Sequence, residues 1–199
     1  MNQTREQWLG AFIAEIRPAF GALNHPLPDK IRVTCGFPSK HARSALKRRI
    51  GEHWSPSASS DGTHEIFISP VIDDPVEAVG VLVHELAHAA TDGDGHQGRF
   101  PALVHSLKLE GKPSATKVGT AFRAEFGALI DSLGQYPHAR LNVNDRKKQP
   151  TRLLKAWCSS CGYTVRVTGK WAAIGLPICP TCNEQFRTKG RNAREGVVP

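Results

Sequence analysis

The segment His84-Glu85-Leu86-Ala87-His88 decides how the rest of the sequence is interpreted. An α-helix turns once in about 3.6 residues, so positions four apart lie on one face. On a helix, His84 and His88 therefore point their imidazoles to the same side, where both can bind one metal ion. Glu85 leans over the same edge, within reach of a water molecule at that ion. This is the H-E-x-x-H pattern of zinc hydrolases, with two metal ligands and a general base.

The residues around this segment predict a buried helix. Asp74 is a suitable N-cap, Pro75 fits the first helical position, and Glu77 completes a pair resembling a capping box. Gly93 is a suitable stop. The apolar side of the segment is broad and contains Val76, Val79, Leu82, Val83, Leu86 and Ala90. We therefore expect a largely buried helix whose two histidines face a cleft.

A third ligand is required, because a catalytic zinc ion is bound by three protein side chains and keeps one position open. His96 lies eight residues past His88, after a turn that contains two glycines, and is predicted to be this ligand. Asp92, Asp94 and Glu110 remain alternatives for the third position.

The cysteines predict a second metal site. Four of the five form two C-x-x-C pairs, Cys158 with Cys161 and Cys179 with Cys182. Seventeen residues separate the inner cysteines, which is typical of a structural zinc site with four cysteine ligands rather than of a disulfide framework. Four thiolates leave no open position, so this second zinc ion is predicted to be structural. Cys35 has no such partner and is predicted to be a small buried residue in a strand.

The charge is concentrated in the last third of the chain. Residues 140–199 hold twelve Lys and Arg against three Asp and Glu, whereas residues 1–139 hold fourteen against fifteen. This distribution favours nucleic acid as a partner, although a basic tail can also serve solubility alone. The ribbon that holds the cysteines can also brace the first domain or bind protein. The residues predicted to contact nucleic acid are Arg152, Lys155, Arg166, Lys170 and Trp171.

The pattern of apolar residues predicts an α+β fold with two domains. The first domain spans 1–141, a polar linker spans 142–150, a zinc ribbon spans 151–188, and a basic tail spans 189–199. Apolar residues at helical or alternating spacing predict the remaining elements. They are helices at 3–20, 97–109 and 118–133, strands at 31–35 and 163–167, and a hairpin formed by 51–54 and 64–69.

Three further expectations concern the surroundings of the metal helix. The basic cluster within 40–49 is predicted to be a solvated face rather than a phosphate site, with the lining of a substrate groove as the alternative. The strand 64–69 is a candidate exposed edge that pairs with a substrate backbone. Tyr136 and His138 are candidates for stabilising the oxyanion that forms when water attacks a carbonyl.

The start of the chain shows no basic segment followed by an apolar core, so no signal peptide is expected. No apolar run approaches the roughly 20 residues that span a bilayer. The expected setting is the cytoplasm, with no membrane partner and a monomer as the default state.

The motifs together resemble the SprT-like family of zinc metalloproteases. The resemblance spans roughly residues 10–185 and is carried by 84–88, by Gly95-His96-Gln97-Gly98-Arg99-Phe100 and by the two C-x-x-C pairs. The segments 151–155 and 175–177 are similar to the bacterial and phage branch. Gln97 is a departure, because family members often carry His-Gly directly before the second helix.

The resemblance implies a zincin-like fold with a C-terminal zinc ribbon. It also implies that His84, His88 and His96 bind zinc and that Glu85 activates water. Members of the family cleave proteins attached to DNA. We therefore expect a zinc endopeptidase with one catalytic and one structural zinc ion, recruited to DNA-bound protein by the ribbon. Two alternatives remain, a non-catalytic, transcription-associated nucleic-acid-binding protein and a regulatory peptidase with one protein target.

Overall fold

The computed structural model describes residues 3–44, 47–145 and 153–189. The chain divides into two compact units, Met1–Asn144 and Asp145–Pro199. The division lies inside the predicted linker, but Val143 packs against the core of the first unit, which therefore extends past the predicted boundary at 141. Most of the predicted linker and tail, together with Arg152, lies outside the described residues.

The first unit mixes helices and strands, so the predicted α+β class is confirmed. The predicted elements are present with ends shifted by a few residues, and one hairpin was not predicted. In chain order they are α1 (Arg5–Ala22), β1 (Ile31–Cys35), β2 (Gly51–Trp54), β3 (His64–Ile68), α2 (Pro75–Ala90), α3 (Phe100–Ser106), β4 (Leu109–Lys112), β5 (Ala115–Val118) and α4 (Thr120–Ser132).

The first three strands form one sheet in the order β1-β3-β2. β3 pairs in parallel with β1 and antiparallel with β2, as the predicted hairpin requires. The expectation that residues 64–69 form an exposed edge is wrong, because Ile66 pairs with Val33 on one side and with His53 on the other. Among the described residues β2 pairs with β3 alone, so its edge beside α2 has no strand partner there.

Helix α2 is the centre of the core. The side chain of Asp74 accepts a hydrogen bond from the Glu77 N–H at 2.7 Å, which satisfies a free N–H at the start of the helix. The helix ends at Ala90, three residues before the predicted stop at Gly93. Its buried residues pack against α1, α3, α4 and both sheets of the unit. Such burial favours folding by about 25 cal/mol for each Å² of apolar surface removed from water.

The hairpin of β4 and β5 was not predicted from the sequence. It follows α3, which ends at Ser106 rather than at 109, and it pairs Glu110 with Lys117. The hairpin lies so close to α2 that a Cβ on Gly80 would overlap the side chain of Val118. The absence of a side chain at position 80 therefore allows β5 to approach the helix that carries the histidines.

The second unit contains a small antiparallel sheet and a short helix. Its elements are β6 (Leu154–Trp157), β7 (Thr164–Val167), α5 (Gly169–Ile174) and β8 (Arg187–Thr188), with the sheet order β7-β6-β8. β7 matches the predicted strand 163–167 to within one residue, whereas the others were not predicted. Within residues 153–189, the buried core consists of Ala156, Cys158, Cys179 and Phe186. A core of this size does not supply enough burial to stabilise a fold without a metal or other cross-link.

Among the described residues, no helix combines the length and apolarity that crossing a membrane requires.

Candidate metal centre

The structure brings the three predicted histidines together. Helix α2 presents His84 and His88 on one face, with ring centroids 5.0 Å apart. His96 lies 4.8 Å from His88 and 5.5 Å from His84 by the same measure. One nitrogen from each ring lies within 4.8 Å of the others, close enough for the three to hold one metal ion. No fourth ligand from the described part of the chain belongs to this group.

Phe100 contacts all three imidazoles. It is fully buried at the start of α3, and its ring stacks on His88 with centroids 4.1 Å apart and planes at 22°. Its edge-on contacts with His84 and His96 have centroid distances of 5.1 and 5.3 Å. The sequence placed Phe100 in the predicted helix 97–109, but its contact with all three imidazoles was not predicted.

His84 is oriented by the unpredicted hairpin. Its Nδ1 lies 2.8 Å from the hydroxyl oxygen of Thr116 on β5. If Nδ1–H donates to this hydroxyl, Nε2 carries the lone pair and can bind a metal. Hydrogen bonds of this kind fix the tautomer and the ring direction of metal-binding histidines. Thr116 could not be identified without β5, because 32 residues separate it from His84.

His96 is held by a clamped loop. Asp94 and Arg99 bracket the histidine and form two side-chain hydrogen bonds, of 2.8 and 3.1 Å. These bonds lower the pKa of Asp94 to about 2, so it is ionised at neutral pH. The loop also needs glycine at position 98, which has a positive φ of 55° and lies against the Asp94 carboxylate.

The alternatives for the third ligand are not brought to the histidines. Asp94 is engaged by Arg99, and the carboxylate of Glu110 lies against Gly119. Asp92 is exposed and, like the other two, does not belong to the histidine group. His96 is therefore the third member of the group, as predicted.

Glu85 is buried beside β2. Its side chain is only 7% exposed, and burial raises the pKa of its carboxyl group to about 8. The charge of Arg49 and a hydrogen bond from the backbone N–H of His53 oppose that rise. The carboxylate lies directly under Gly51, where a Cβ would overlap its Oε1 atom. Arg49 of the basic cluster keeps 46% of its side chain exposed and pairs with Glu52 at 2.6 Å.

The histidines are poised to bind a cation. Burial, reinforced by their mutual repulsion, lowers the pKa of His84 to about 4 and that of His88 to about 3. Burial lowers the pKa of His96 as well. All three rings are therefore neutral near pH 7, and metal binding does not need to displace a proton from them.

A second pair of histidines adjoins this centre and was not predicted. Nε2 of His53 on β2 lies 2.9 Å from Nδ1 of His64 on β3. The ring of His53 is nearly parallel to that of His88, with centroids 6.3 Å apart and planes at 6°. Burial lowers the pKa of His53 to about 4, so this ring is also neutral at pH 7. The two residues are eleven positions apart in the chain, and only strand pairing brings them together.

Tyr136 and His138 do not contact the three histidines in the described structure. Tyr136 is 4% exposed and packs against Trp8, with ring centroids 5.0 Å apart. His138 donates from Nε2 to the carbonyl oxygen of Pro70 at 2.9 Å, and its Nδ1 lies 3.3 Å from an Arg5 nitrogen. Both residues thus stabilise the packing of the segment that follows α4, and the structure does not support their predicted role with an oxyanion. Cys35, the remaining single cysteine, is half-buried at the end of β1 and is not part of either ligand group.

The four cysteines of the second unit form the other candidate metal group. Their sulfur atoms lie within 4.8 Å of one another. The two C-x-x-C segments have the same backbone geometry. The N–H of Gly162 donates to the carbonyl of Cys158 at 3.1 Å, and the N–H of Asn183 donates to that of Cys179 at 3.0 Å. Gly162 and Asn183 both have positive φ, at 75° and 56°. This repeated turn points two pairs of thiols at one place, which suits a tetrahedral ion.

The described residues that were predicted to contact nucleic acid lie on β6, β7 and α5 of the second unit. Lys155 on β6 pairs directly with Arg166 on β7, so their side chains share the solvent face of the sheet. Arg187 on β8 pairs with Trp157 and adds a third cation to that face. Trp171 lies instead on α5, where it is 58% exposed and Lys170 approaches its ring at 5.3 Å. Arg187 and Trp157 were not predicted, because β8 is too short to be recognised.

Like charges directly opposite each other destabilise a sheet unless an anion lies between them. The only acidic residue in 153–189 is Glu184, and no ion pair is formed within that described stretch. The face formed by Lys155, Arg166 and Arg187 is therefore a candidate binding surface for a polyanion.

The geometry, not likeness to another protein, is the basis for assigning a role to this chain. The described residues contain a three-histidine group with a buried carboxyl group beside it, and a four-cysteine group under a basic sheet. Both groups are able to bind metal ions. The chain matches no family model, and neither a curated protein nor a solved structure matches it significantly.

Proposed function

We propose that this protein is a zinc-dependent endopeptidase of the SprT-like type that acts on proteins bound or crosslinked to DNA. The proposal includes a zincin-like fold for the first unit. The observation that carries it is the position of Glu85, which is buried next to three convergent histidines that have no fourth ligand among the described residues. A purely structural zinc site has four protein ligands and does not need an adjacent carboxyl group.

The ligand sets support zinc at both sites. Neutral imidazoles from His84, His88 and His96 suit a zinc ion that keeps an open position, and four cysteine sulfurs suit a closed one. When bound at the histidines, zinc supplies Lewis acidity, which acidifies water and polarises a carbonyl group. Phe100 and Thr116 hold the imidazoles in the required directions.

Glu85 performs the proton transfers in this proposal. It accepts a proton from the attacking water and returns it to the nitrogen of the leaving amine. The nearby cation lowers the pKa of the carboxyl group from the value of about 8 that burial gives it in the metal-free chain. Because Gly51 has no side chain, the backbone of β2 packs directly on the carboxylate, and this packing fixes the direction of Glu85.

The edge of β2 has no strand partner among the described residues and provides a place for the substrate backbone. Extended peptides bind exposed strands by continuing the sheet, which recognises backbone rather than side chains. β2 lies next to α2, so a peptide paired with it passes the histidines and Glu85. Such binding has little sequence preference, which suits an enzyme whose substrates are defined by attachment to DNA.

The second unit provides recruitment in this proposal. The cationic sheet face binds phosphates, and Trp171 offers an exposed ring for stacking on a base. The second unit holds the peptidase on the nucleic acid that carries its substrate. A short flexible linker gives the peptidase an effective concentration near that substrate on the order of millimolar. The second unit then determines where cleavage occurs, while the first performs the chemistry.

The test uses a protein crosslinked to a single-stranded oligonucleotide, incubated with zinc-loaded enzyme. Glu85→Gln is nearly isosteric and should abolish cleavage while two zinc ions per chain and the oligonucleotide affinity are retained. Equal cleavage by Glu85→Gln and the wild type would refute the assignment. A chain truncated after 145 should cleave the crosslinked protein more slowly but a free protein at the same rate.

A non-catalytic nucleic-acid-binding protein is the second candidate, favoured by the unneutralised cations on the sheet of the second unit. In this case the protein should bind the oligonucleotide without cleaving any protein. Glu85→Gln should then behave like the wild type in both measurements. Cleavage that is independent of DNA would instead favour a peptidase with one protein target.

A further inference from the structure

We propose that His53 donates a hydrogen bond from Nδ1 to the substrate carbonyl oxygen at the candidate metal centre, and that His64 positions it. The inference rests on the proposed peptidase function and adds to it a donor for the charge that develops on that oxygen. The two residues suggested by the sequence for this task, Tyr136 and His138, are engaged elsewhere in the first unit.

Strand geometry directs His53 toward the metal centre. Side chains two positions apart in a strand point to the same side of the sheet, so His53 points to the side on which Gly51 contacts Glu85. The ring of His53 lies beside the ring of His88 in a nearly parallel orientation, 6.3 Å away. The backbone N–H of His53 is also close enough to Glu85 to favour its carboxylate form, which opposes the rise in the pKa of that group. His53 therefore lies between the general base and one metal ligand.

His64 fixes the direction of this ring. It is 6% exposed on the central strand of the sheet, and its Nδ1 lies 2.9 Å from Nε2 of His53. His53 is more exposed, and its Nδ1 makes no hydrogen bond to any other residue that the structure describes. His64 thus holds Nε2 of the half-buried His53 and leaves its Nδ1 for a substrate.

The proton positions follow from this arrangement. A neutral imidazole has one N–H and one bare nitrogen. If Nδ1–H of His64 donates to Nε2 of His53, the proton of His53 must be on Nδ1, where it can be donated. We assign this pair of tautomers, because the reverse would leave a bare acceptor facing the carbonyl oxygen. His64 is thus a positioning residue, and His53 is the group that touches the substrate.

His53 is not a fourth metal ligand. The group of ligand atoms within 4.8 Å of one another contains His84, His88 and His96 and excludes His53. Instead, His53 is a preorganised hydrogen-bond donor that needs no rearrangement during the reaction. Removing one donor of this type from a hydrolase site costs about 100-fold to 1,000-fold in kcat.

The kinetic test uses the full-length zinc-loaded chain with dye-labelled casein as the probe. His53→Ala should lower kcat about 100-fold with KM unchanged, and His53→Gln should recover part of the loss because its amide donates an N–H. His64→Ala should give an intermediate loss. His105→Ala, which removes an exposed histidine of α3, is the matched control and should match the wild type. All variants should retain two zinc ions per chain.

A second measurement does not depend on activity. Nitrogen-15 spectra of the histidine rings should show the proton of His53 on Nδ1 in the wild type, and on Nε2 in His64→Ala, where the bond is lost. A proton on Nε2 of His53 in the wild type would overturn the proposal.

Three other outcomes would also overturn it, and they have different meanings. A kcat of His53→Ala within twofold of the wild type would remove His53 from the reaction. Loss of one zinc ion in His53→Ala would make it a ligand instead of a donor. Equal activities of the wild type and Glu85→Gln on casein would refute the peptidase function itself, and the donor role would fall with it.

Discussion

Gly51 lies so close to Glu85 that a Cβ on the glycine would overlap the carboxylate oxygen Oε1. The backbone of β2 therefore forms the roof of the position that the general base occupies. The glycine is needed for close approach and not for an unusual backbone conformation, because its φ is not positive. Gly51→Ala should displace the carboxylate and lower kcat at least about tenfold. A tenfold loss corresponds to a rise of about 1.4 kcal/mol in the activation free energy.

The matched control for Gly51→Ala is Gly127→Ala in α4, where a Cβ meets no atom within 4 Å. In a helix this control substitution should raise the free energy of unfolding by up to about 1 kcal/mol. Zinc content should be unchanged in both variants. Full activity of Gly51→Ala would show that Glu85 tolerates another position.

The bond between Thr116 and His84 predicts that a residue distant in the sequence controls zinc affinity. Thr116→Val keeps the shape of the side chain but removes the oxygen that accepts from Nδ1 of His84. Affinity at the histidine site should fall about 10-fold to 100-fold, as is typical when such an outer partner is lost. Zinc competition with a chelator measures this, and Thr116→Ser should retain near wild-type affinity. Equal affinities of the valine and serine variants would contradict the role of the hydroxyl.

The parts of the fold that could be predicted from the sequence depend on local signals. The start of α2 was predicted because Asp74 and Pro75 act within one turn of the helix, and its histidines share a face for the same reason. β4 and β5 were missed because Glu110-Gly111-Lys112-Pro113 has the composition of a helix end followed by a loop. These strands form because Gly80 allows them to pack against α2, a contact between distant segments.

The candidate site was likewise predicted only where local signals mark its residues. The three histidines and Glu85 are marked by a short motif and a nearby glycine-rich turn. Thr116, Gly51 and the pair of His53 and His64 carry no such mark, because strand register sets their positions. Their chemical groups are ordinary ones, and only the three-dimensional arrangement places them around the ligands. The outer support of the site was therefore not accessible to pattern analysis.

The buried ionisable groups predict how the stability of the metal-free first unit depends on pH. Burial raises the pKa of Glu85 to about 8, so its contribution is present at low pH and is lost as pH rises toward 8. The pKa values of His84 and His88 are lowered to about 4 and 3, so their contribution is present above about 6.5 and is lost in acid. Metal-free stability should therefore be greatest near pH 6.5 and fall on both sides, by at most about 1.4 kcal/mol per pH unit for each proton.

Thermal unfolding with chelator present, followed from pH 5 to pH 8.5, measures this profile. Glu85→Gln should remove the decline above pH 6.5, because the amide does not ionise. Zinc should remove it as well, since a nearby cation stabilises the carboxylate. A metal-free profile that rises steadily to pH 8 would show that Glu85 is not protonated in the folded chain.

The hydrogen-bonded pair of Asp94 and Arg99 predicts that a charged residue outside the ligand set fixes the position of His96. Asp94→Ala removes the two side-chain bonds that close the loop, so His96 should sample more conformations. Zinc affinity at the histidines should fall by about one order of magnitude, within the range for outer partners. Asp92→Ala in the same loop is the control, and it should retain affinity. A larger loss for Asp92→Ala would instead favour Asp92 as a ligand.

The cross-strand pair of Lys155 and Arg166 predicts opposite effects on stability and on binding. Arg166→Glu places a carboxylate opposite Lys155, and this should stabilise the zinc-loaded second unit by about 0.2–1 kcal/mol. The same change should weaken binding of a single-stranded oligonucleotide and reduce the slope of log affinity against log salt by at least about 0.7, the value for one phosphate contact. Lys112→Glu makes an equal change of charge on β4, outside the second unit, and is the control. If both variants lose the same affinity, net charge rather than this face binds the polyanion; if Arg166→Glu also loses stability, the two cations do not repel each other in the folded sheet.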